Sequence, residues 1–177
     1  MTASSASPAA SQTDPTERLN DLERRLADVE RQLGTVEDTL AITRLMTAYG
    51  PAVDAGCEEA VADLWTEDGV YDIDTGILRG HDEIAAMVRS QGHRNWIDGG
   101  CGHVLEPGHI RIDGDTAVAT CKSQLIAYDG EAFRVQRVTA SRWEMVKRDG
   151  QWKVTRRVGR ILDGRADARE LLATGVG

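Results

Sequence analysis

Positive charge is scarce in this chain of 177 residues. Its 21 Lys and Arg stand against 29 Asp and Glu, for a net charge of −8. A nucleic-acid partner is disfavoured, because phosphate binding depends on basic patches that release counterions. An anionic membrane surface is disfavoured for the same reason. No apolar run approaches the roughly 20 residues of a membrane-spanning helix. Residues 1–16, MTASSASPAASQTDPT, have neither a basic start nor an apolar stretch and are not expected to act as a secretory signal. Cysteines number only three, Cys57, Cys101 and Cys121, with no C-x-x-C spacing. Reduced thiols in a cytoplasmic protein are the expectation. Also missing are G-x-G-x-x-G, a P-loop, G-x-S-x-G and H-x-x-x-H, so nucleotide cofactors, serine hydrolysis and a metal have no motif behind them.

What is present suffices for a core, with 41% hydrophobic residues. Residues 1–16 are Ser-, Ala-, Thr- and Pro-rich and read as a disordered tail. Residues 17–38 then carry an apolar seam, Leu19, Leu22, Leu26, Val29, Leu33, Val36 and on to Leu40, in unbroken steps of 3 and 4. With Leu19 at heptad position a, the g positions are Arg18, Arg25 and Gln32, and the e positions are Glu23, Glu30 and Glu37. That complementarity suits a parallel coiled coil, although a lone amphipathic helix packed on its own domain has the same seam. Leu at a with Leu, Val and Val at d leans away from two strands. A homo-oligomer is expected, a trimer in preference to a dimer.

Residues 39–163 read as an α+β domain, followed by a C-terminal tail over 164–177. A helix through Ile42, Leu45 and Met46 is expected to kink or end at Gly50-Pro51. A short helix over 58–65, strands at 70–74 and 77–79, and a helix over 81–90 follow. The second half is punctuated by Asp113-Gly114, Asp129-Gly130 and Asp149-Gly150, a favoured dipeptide for two-residue type I′ hairpins. Four long antiparallel strands are therefore expected, at about 101–112, 115–128, 131–148 and 151–162. Strands of such length must twist and coil. In 117–128 neither face looks fully solvated, so helices should cover one and another subunit the other.

At this point the chain resembles a known family. The resemblance rests on Leu40-x-Ile42 to Tyr49, Ala52-Val53-Asp54-Ala55-Gly56, Leu64-Trp65-Thr66-Glu67-Asp68-Gly69-Val70-Tyr71, Gly80-His81-Asp82-Glu83-Ile84, His103 and Gly150-Gln151-Trp152-Lys153-Val154. In that order and spacing these segments are similar to the SnoaL-like branch of the nuclear transport factor 2-like superfamily, over about residues 38–163. The resemblance implies a cone-shaped α+β barrel, with helices packed on a strongly curved sheet around an apolar pocket. Scytalone dehydratase and the bile-acid 7α-dehydratases place an Asp after the first helix and a His early in the first long strand. The bile-acid enzymes add a Tyr five residues before the Asp. Here Tyr49, Asp54 and His103 stand in those places. The second catalytic histidine of scytalone dehydratase has no counterpart, Tyr128 standing near its position. The Asp-Arg-Asp set of limonene epoxide hydrolases has none either.

From the residues alone, His103 reads either as a proton carrier near neutral pH or as a histidine bonded within its strand. Asp54 reads either as the orienter of an imidazole or as a helix-ending residue or the N-cap of the 58–65 helix. Tyr49 is either a polarising donor or a core aromatic. The resemblance implies the catalytic role for all three. Positions five apart diverge by about 140° on a straight helix, so Tyr49 and Asp54 converge only if Gly50-Pro51 redirects the chain. Tyr128, Trp65, Tyr71 and Trp143 are the expected substrate-binding aromatics, with Trp96, Trp152 and Phe133 as further pocket candidates. His81, at a helix start, His93, in a polar loop, and His109, on the His103 strand face, are weaker. Arg137, Arg142, Arg156, Arg157 and Arg160 read as surface or subunit-contact residues, or as a site for an acidic group. The expectation is a cofactor-independent lyase (dehydratase) or isomerase acting on an apolar hydroxy-carbonyl small molecule, without a metal. The alternative is a non-catalytic small-molecule-binding or assembly module.

Overall fold

The structure, a computed structural model, describes residues 14–176. The tail expected over 1–16 lies almost wholly outside the described residues. The chain divides into two compact units, Met1–Glu37 and Asp38–Gly177.

Helix α1 (Pro15–Asp54) contributes to both units. It opens at Asp14-Pro15, where the Asp14 carboxylate accepts the Thr16 N–H at 3.2 Å. Proline is preorganised for a first helical position and has no N–H to satisfy there. In the first unit the seam from Leu19 to Val36 is more than half exposed at every position. From Ile42 onward the same spacing is buried, through Met46, Tyr49 and Val53.

Gly50-Pro51 does not end α1, contrary to the sequence expectation, and Pro51 lies inside the helix. The stop comes at Gly56, whose φ of +69° is left-handed. Gly56 N–H donates to Val53 O at 3.2 Å and Cys57 N–H to Ala52 O at 3.0 Å, the paired bonds of a Schellman closure. Asp54 thereby sits in the last turn of α1. It does not cap the next helix, α2 (Glu58–Ala62), whose N-cap is Cys57.

Strands β1 (Trp65–Ile73) and β2 (Gly76–Arg79) form an antiparallel pair, and helices α3 (Gly80–Arg89) and α4 (Gln91–Gly99) follow. The loop expected around His93 is α4 instead. Its start is capped by Ser90, whose hydroxyl accepts the His93 N–H at 3.2 Å. The strand expected over 101–112 is two, β3 (Cys101–Leu105) and β4 (His109–Asp113). Pro107 interrupts the ladder between them because it has no N–H to contribute. His103 and His109 therefore do not share one strand. Strands β5 (Thr116–Tyr128), β6 (Phe133–Arg148) and β7 (Gln151–Ile161) are as long as expected.

The sheet runs β2-β1-β7-β6-β5-β3, with β4 also on β5; β1–β7 is parallel and the other pairs antiparallel. Of the three Asp-Gly turns, only Asp149-Gly150 has both residues at positive φ in a two-residue loop, as type I′ requires. Asp129 opens a four-residue loop and accepts the Glu131 and Ala132 N–H groups. The 164–177 tail contains a helix, α5 (Ala166–Val176), which packs on β5 and β6. A Cβ at Gly175 would fall within the Thr120 side chain. Part of the β5 face assigned to another subunit is thus covered by the chain's own C-terminal helix. The core is Ile42, Val53, Val61, Trp65, Ile84, Val88, Trp143 and Val154, between the helices and the sheet.

Candidate active site

A carboxylate in the last turn of a helix faces the negative end of the helix dipole. Asp54 holds that position because β3 supplies two N–H donors to it. The backbone N–H of His103 donates to Oδ2 at 2.7 Å, and its ring Nδ1–H donates to Oδ1 at 2.5 Å. The approach depends on Gly50, where a Cβ would collide with the His103 carbonyl oxygen. Gly50 thus matters less as a helix breaker than as the gap that lets β3 reach α1.

An ionised carboxylate only accepts, so the imidazole proton sits on Nδ1 and Nε2 is left with a free lone pair. Burial pushes the His103 pKa below its ordinary value of 6.5, against the opposing pull of Asp54. The ring is neutral at pH 7, ready to accept a proton.

His103 lines a cavity of about 420 Å³, together with Tyr49, Tyr71, His93, Ser123 and Arg157. Its size suits a small organic ligand. The Tyr49 ring meets the His103 ring edge-on, with centroids 6.2 Å apart, and the Tyr49 and Tyr71 hydroxyls are 3.4 Å apart. Burial, reinforced by Tyr71, raises the Tyr49 pKa well above 10, so Tyr49 is a neutral donor rather than a base. Tyr49 and Asp54 both reach His103 from one unbroken helix. Asp54 takes the Nδ1 edge, and the Tyr49 ring meets the His103 ring edge-on.

Of the expected substrate-binding aromatics, Tyr71 lines the cavity. Trp65 and Trp143 lie fully buried behind Tyr49. Tyr128 is exposed; it donates its hydroxyl to Gly130 O and packs on Phe133 at the β5–β6 turn. Trp96 is on the cavity wall, whereas Trp152 is in the core, bonded to Asp38 at 2.9 Å.

Two wall residues were undervalued in the sequence. His93 donates from Nε2 to Val53 O at 3.0 Å, and its ring centroid lies 5.9 Å from that of His103. Arg157 on β7 is only 3% exposed. Its guanidinium carbon stands 4.1 Å from the Trp143 ring centroid, 4.3 Å from Tyr49 and 4.9 Å from Tyr71. Nη2 reaches Ser141 Oγ at 3.4 Å, while Nε and Nη1 have no hydrogen-bond partner among the described residues. No carboxylate forms an ion pair with Arg157 among the described residues. The other arginines behave differently: Arg156 and Arg160 pair with Asp72, and Arg137 with Asp74. Strict alternation from the inward Trp152 and Val154 would place Arg156 inward; a register shift of β7 against β6 between Val154 and Arg156 turns Arg157 inward instead, and no sequence signal marked it.

Asp54, Cys101 and His103 also bring ligand atoms within 4.8 Å of one another. As a metal set they fit poorly. Both Asp54 oxygens already accept from His103, and burial with the Asp54 charge pushes the Cys101 thiol up to about 11.

Helices packed on a curled, mainly antiparallel sheet are the architecture of a nuclear transport factor 2-like protein. Residues 34–158 match the SnoaL-like domain, and the chain belongs to that family. A protein of Novosphingobium aromaticivorans, described as NTF2-like with a cystatin-like fold, is 37% identical. That likeness covers 83% of this chain and 96% of that one, with a TM-score of 0.81. The hexachlorocyclohexane dehydrochlorinase LinA-type3 of Novosphingobium barchaimii shares the fold at 19% identity. There the coverage is 76% of this chain and 96% of that one, with a TM-score of 0.64. No curated protein is significantly similar in sequence. No helix among the described residues is long and apolar enough to cross a membrane.

Proposed function

We propose that this protein is a cofactor-independent lyase, of dehydratase type, or an isomerase, acting in the cytoplasm on an apolar small molecule with a hydroxyl near a carbonyl. The observation that carries the reading is the Asp54–His103 pair, whose imidazole is at the wall of the cavity, with Nδ1 tied to the carboxylate and Nε2 left as the base. A pocket that only bound its ligand would have no use for a coupled acid–base pair.

In this reading His103 Nε2 removes a proton from the carbon next to the substrate carbonyl. Asp54 stabilises the imidazolium that forms. Negative charge builds on the carbonyl oxygen, and the unpartnered nitrogens of Arg157 with the Tyr49 and Tyr71 hydroxyls stabilise it. The electron pair of the broken C–H bond then becomes a C=C bond as the β-hydroxyl departs. His103 returns its proton to that oxygen, releasing water. If no leaving group is in place, the proton returns to another carbon and the product is an isomer. The fold is shared with a protein named as a dehydrochlorinase, a name that denotes an elimination.

The experiment is to incubate the protein in D₂O with a panel of hydroxy-ketones and follow carbon-bound hydrogen by NMR. Deuterium uptake or loss of water with the wild type, absent with His103→Ala, is the expected result. Equal rates for both proteins remove His103 from the chemistry. Ligand binding without exchange or turnover in either protein makes this a binding module.

A further inference from the structure

We propose that residues 18–40 of α1 are a self-association surface, on which copies of this chain align parallel and in register as a bundle of three. The inference does not depend on the catalytic reading. All seven seam residues, Leu19, Leu22, Leu26, Val29, Leu33, Val36 and Leu40, are between 49% and 58% exposed. Scattered exposed apolar residues need no explanation, but an unbroken stripe of seven on one helix face does. The family match begins only at residue 34, so most of the stripe serves nothing that the SnoaL-like domain requires.

The flanking charges select the occupant. On the outer face, Arg24 pairs with Asp21 and Arg31 with Asp28 within the helix. Arg18, Arg25, Glu23, Glu30 and Glu37 have no ion-pair partner among the described residues, and they border the seam at g and e. In a parallel arrangement g faces e of the next heptad in the neighbouring copy, so Arg18 meets Glu23, Arg25 meets Glu30 and Gln32 meets Glu37. An antiparallel arrangement sets g against g and e against e, which would oppose Arg to Arg and Glu to Glu. The seam is therefore complementary to itself in one orientation. A lipid surface fits poorly, because interfacial helices carry a basic polar face and acidic residues outnumber basic ones here. Leu at every a position with β-branched Val at two of three d positions moves the preference from two strands to three or more, and three is the smallest such bundle.

The test uses the full chain in analytical ultracentrifugation at micromolar concentration. Wild type should sediment at three times the 19.3 kDa chain mass. Leu26→Glu with Val29→Glu puts carboxylates in the apolar seam and should weaken assembly by roughly a hundredfold or more, while near-UV circular dichroism of the domain tryptophans stays unchanged. Arg18→Glu with Arg25→Glu should also weaken it, and adding Glu23→Arg with Glu30→Arg should restore it. For orientation, Leu19→Cys in a Cys57→Ser background should cross-link between copies on oxidation. An antiparallel pairing would separate those residues by several helical turns. A monomeric wild type, or a mass that Leu26→Glu with Val29→Glu leaves unaltered, overturns the proposal. Absence of the cross-link in the Leu19→Cys variant overturns the parallel register, and a two-chain mass overturns the count of three.

Discussion

Two charges beside the His103 ring and its cavity, the half-buried Asp54 and the buried Arg157, are treated in opposite ways. Asp54 is fully served: both oxygens accept from His103, and Cys101 Sγ stands 3.7 Å from Oδ1. Arg157 is more deeply buried, has no ion-pair partner among the described residues and rests on the faces of three aromatic rings. A buried charge that is paired can orient a neighbour. A buried charge left without a counterion costs folding energy, and proteins retain such costs where a ligand later supplies the partner. In the proposed mechanism the contrast assigns Asp54 to orienting His103 and Arg157 to stabilising an anion.

Breaking the paired charge should have the largest effect. A positioned general base supplies about 10²–10⁴-fold in rate, so His103→Ala should lower kcat by that range. Asp54→Asn should cost nearly as much. It gives up one acceptor and the charge that stabilises the imidazolium. The double variant should be hardly worse than either single one, since both break one unit. Single-turnover kinetics on the substrate found by deuterium exchange checks this, and additive losses would separate the two residues. Asp54→Asn should also lower stability by about 1–3 kcal/mol, because a His103 N–H loses its acceptor.

Breaking the unpaired charge should act oppositely on stability. Arg157→Met keeps a long apolar stem and removes a charge without a counterion. The melting temperature should rise while kcat falls by about 10²-fold, as for loss of one oxyanion donor. A scanning calorimetry trace in which Arg157→Met melts lower than wild type would mean that the three ring contacts outweigh the desolvation cost. Smaller again is Tyr71→Phe, which removes one hydroxyl from a pair and should cost only a few-fold in kcat, about 1 kcal/mol.

Acid should expose the same pair in stability measurements. The His103 pKa is depressed on folding, so between that value and 6.5 the unfolded chain binds more protons than the folded one. Stability therefore rises with pH through that window and is lost as pH falls through it. Urea midpoints measured between pH 8 and pH 5 should decline on the acid side, and the decline should vanish in His103→Gln.

Much of this arrangement was legible in the chain. The heptad seam, the three long strands β5 to β7 and the Asp149-Gly150 turn depend on local spacing, and local spacing is what a sequence displays. The Asp54–His103 contact spans 49 residues and was reached through family resemblance, not periodicity. Gly50-Pro51 misled because a Gly-Pro pair carries a strong local stop signal. The structure uses the glycine for a tertiary purpose, admitting the His103 carbonyl. Arg157 was not singled out among five arginines in the last two strands, because the register shift between Val154 and Arg156 reverses the alternation that Trp152 and Val154 set up. The α5 helix offers Leu171 and Leu172 side by side, too few large apolar residues to mark a face; it buries small residues instead, Ala168 and Gly175, the latter against Thr120.

The coupling of Asp54 to His103 can be measured without knowing the substrate. The experiment is a titration of the His103 imidazole by NMR in wild type and in Asp54→Asn. The account predicts a neutral Nδ1–H tautomer with a midpoint below 6.5 in the wild type, falling further in the variant, because the carboxylate that favours the charged ring is gone. A midpoint at or above 6.5 that Asp54→Asn leaves unmoved would contradict it.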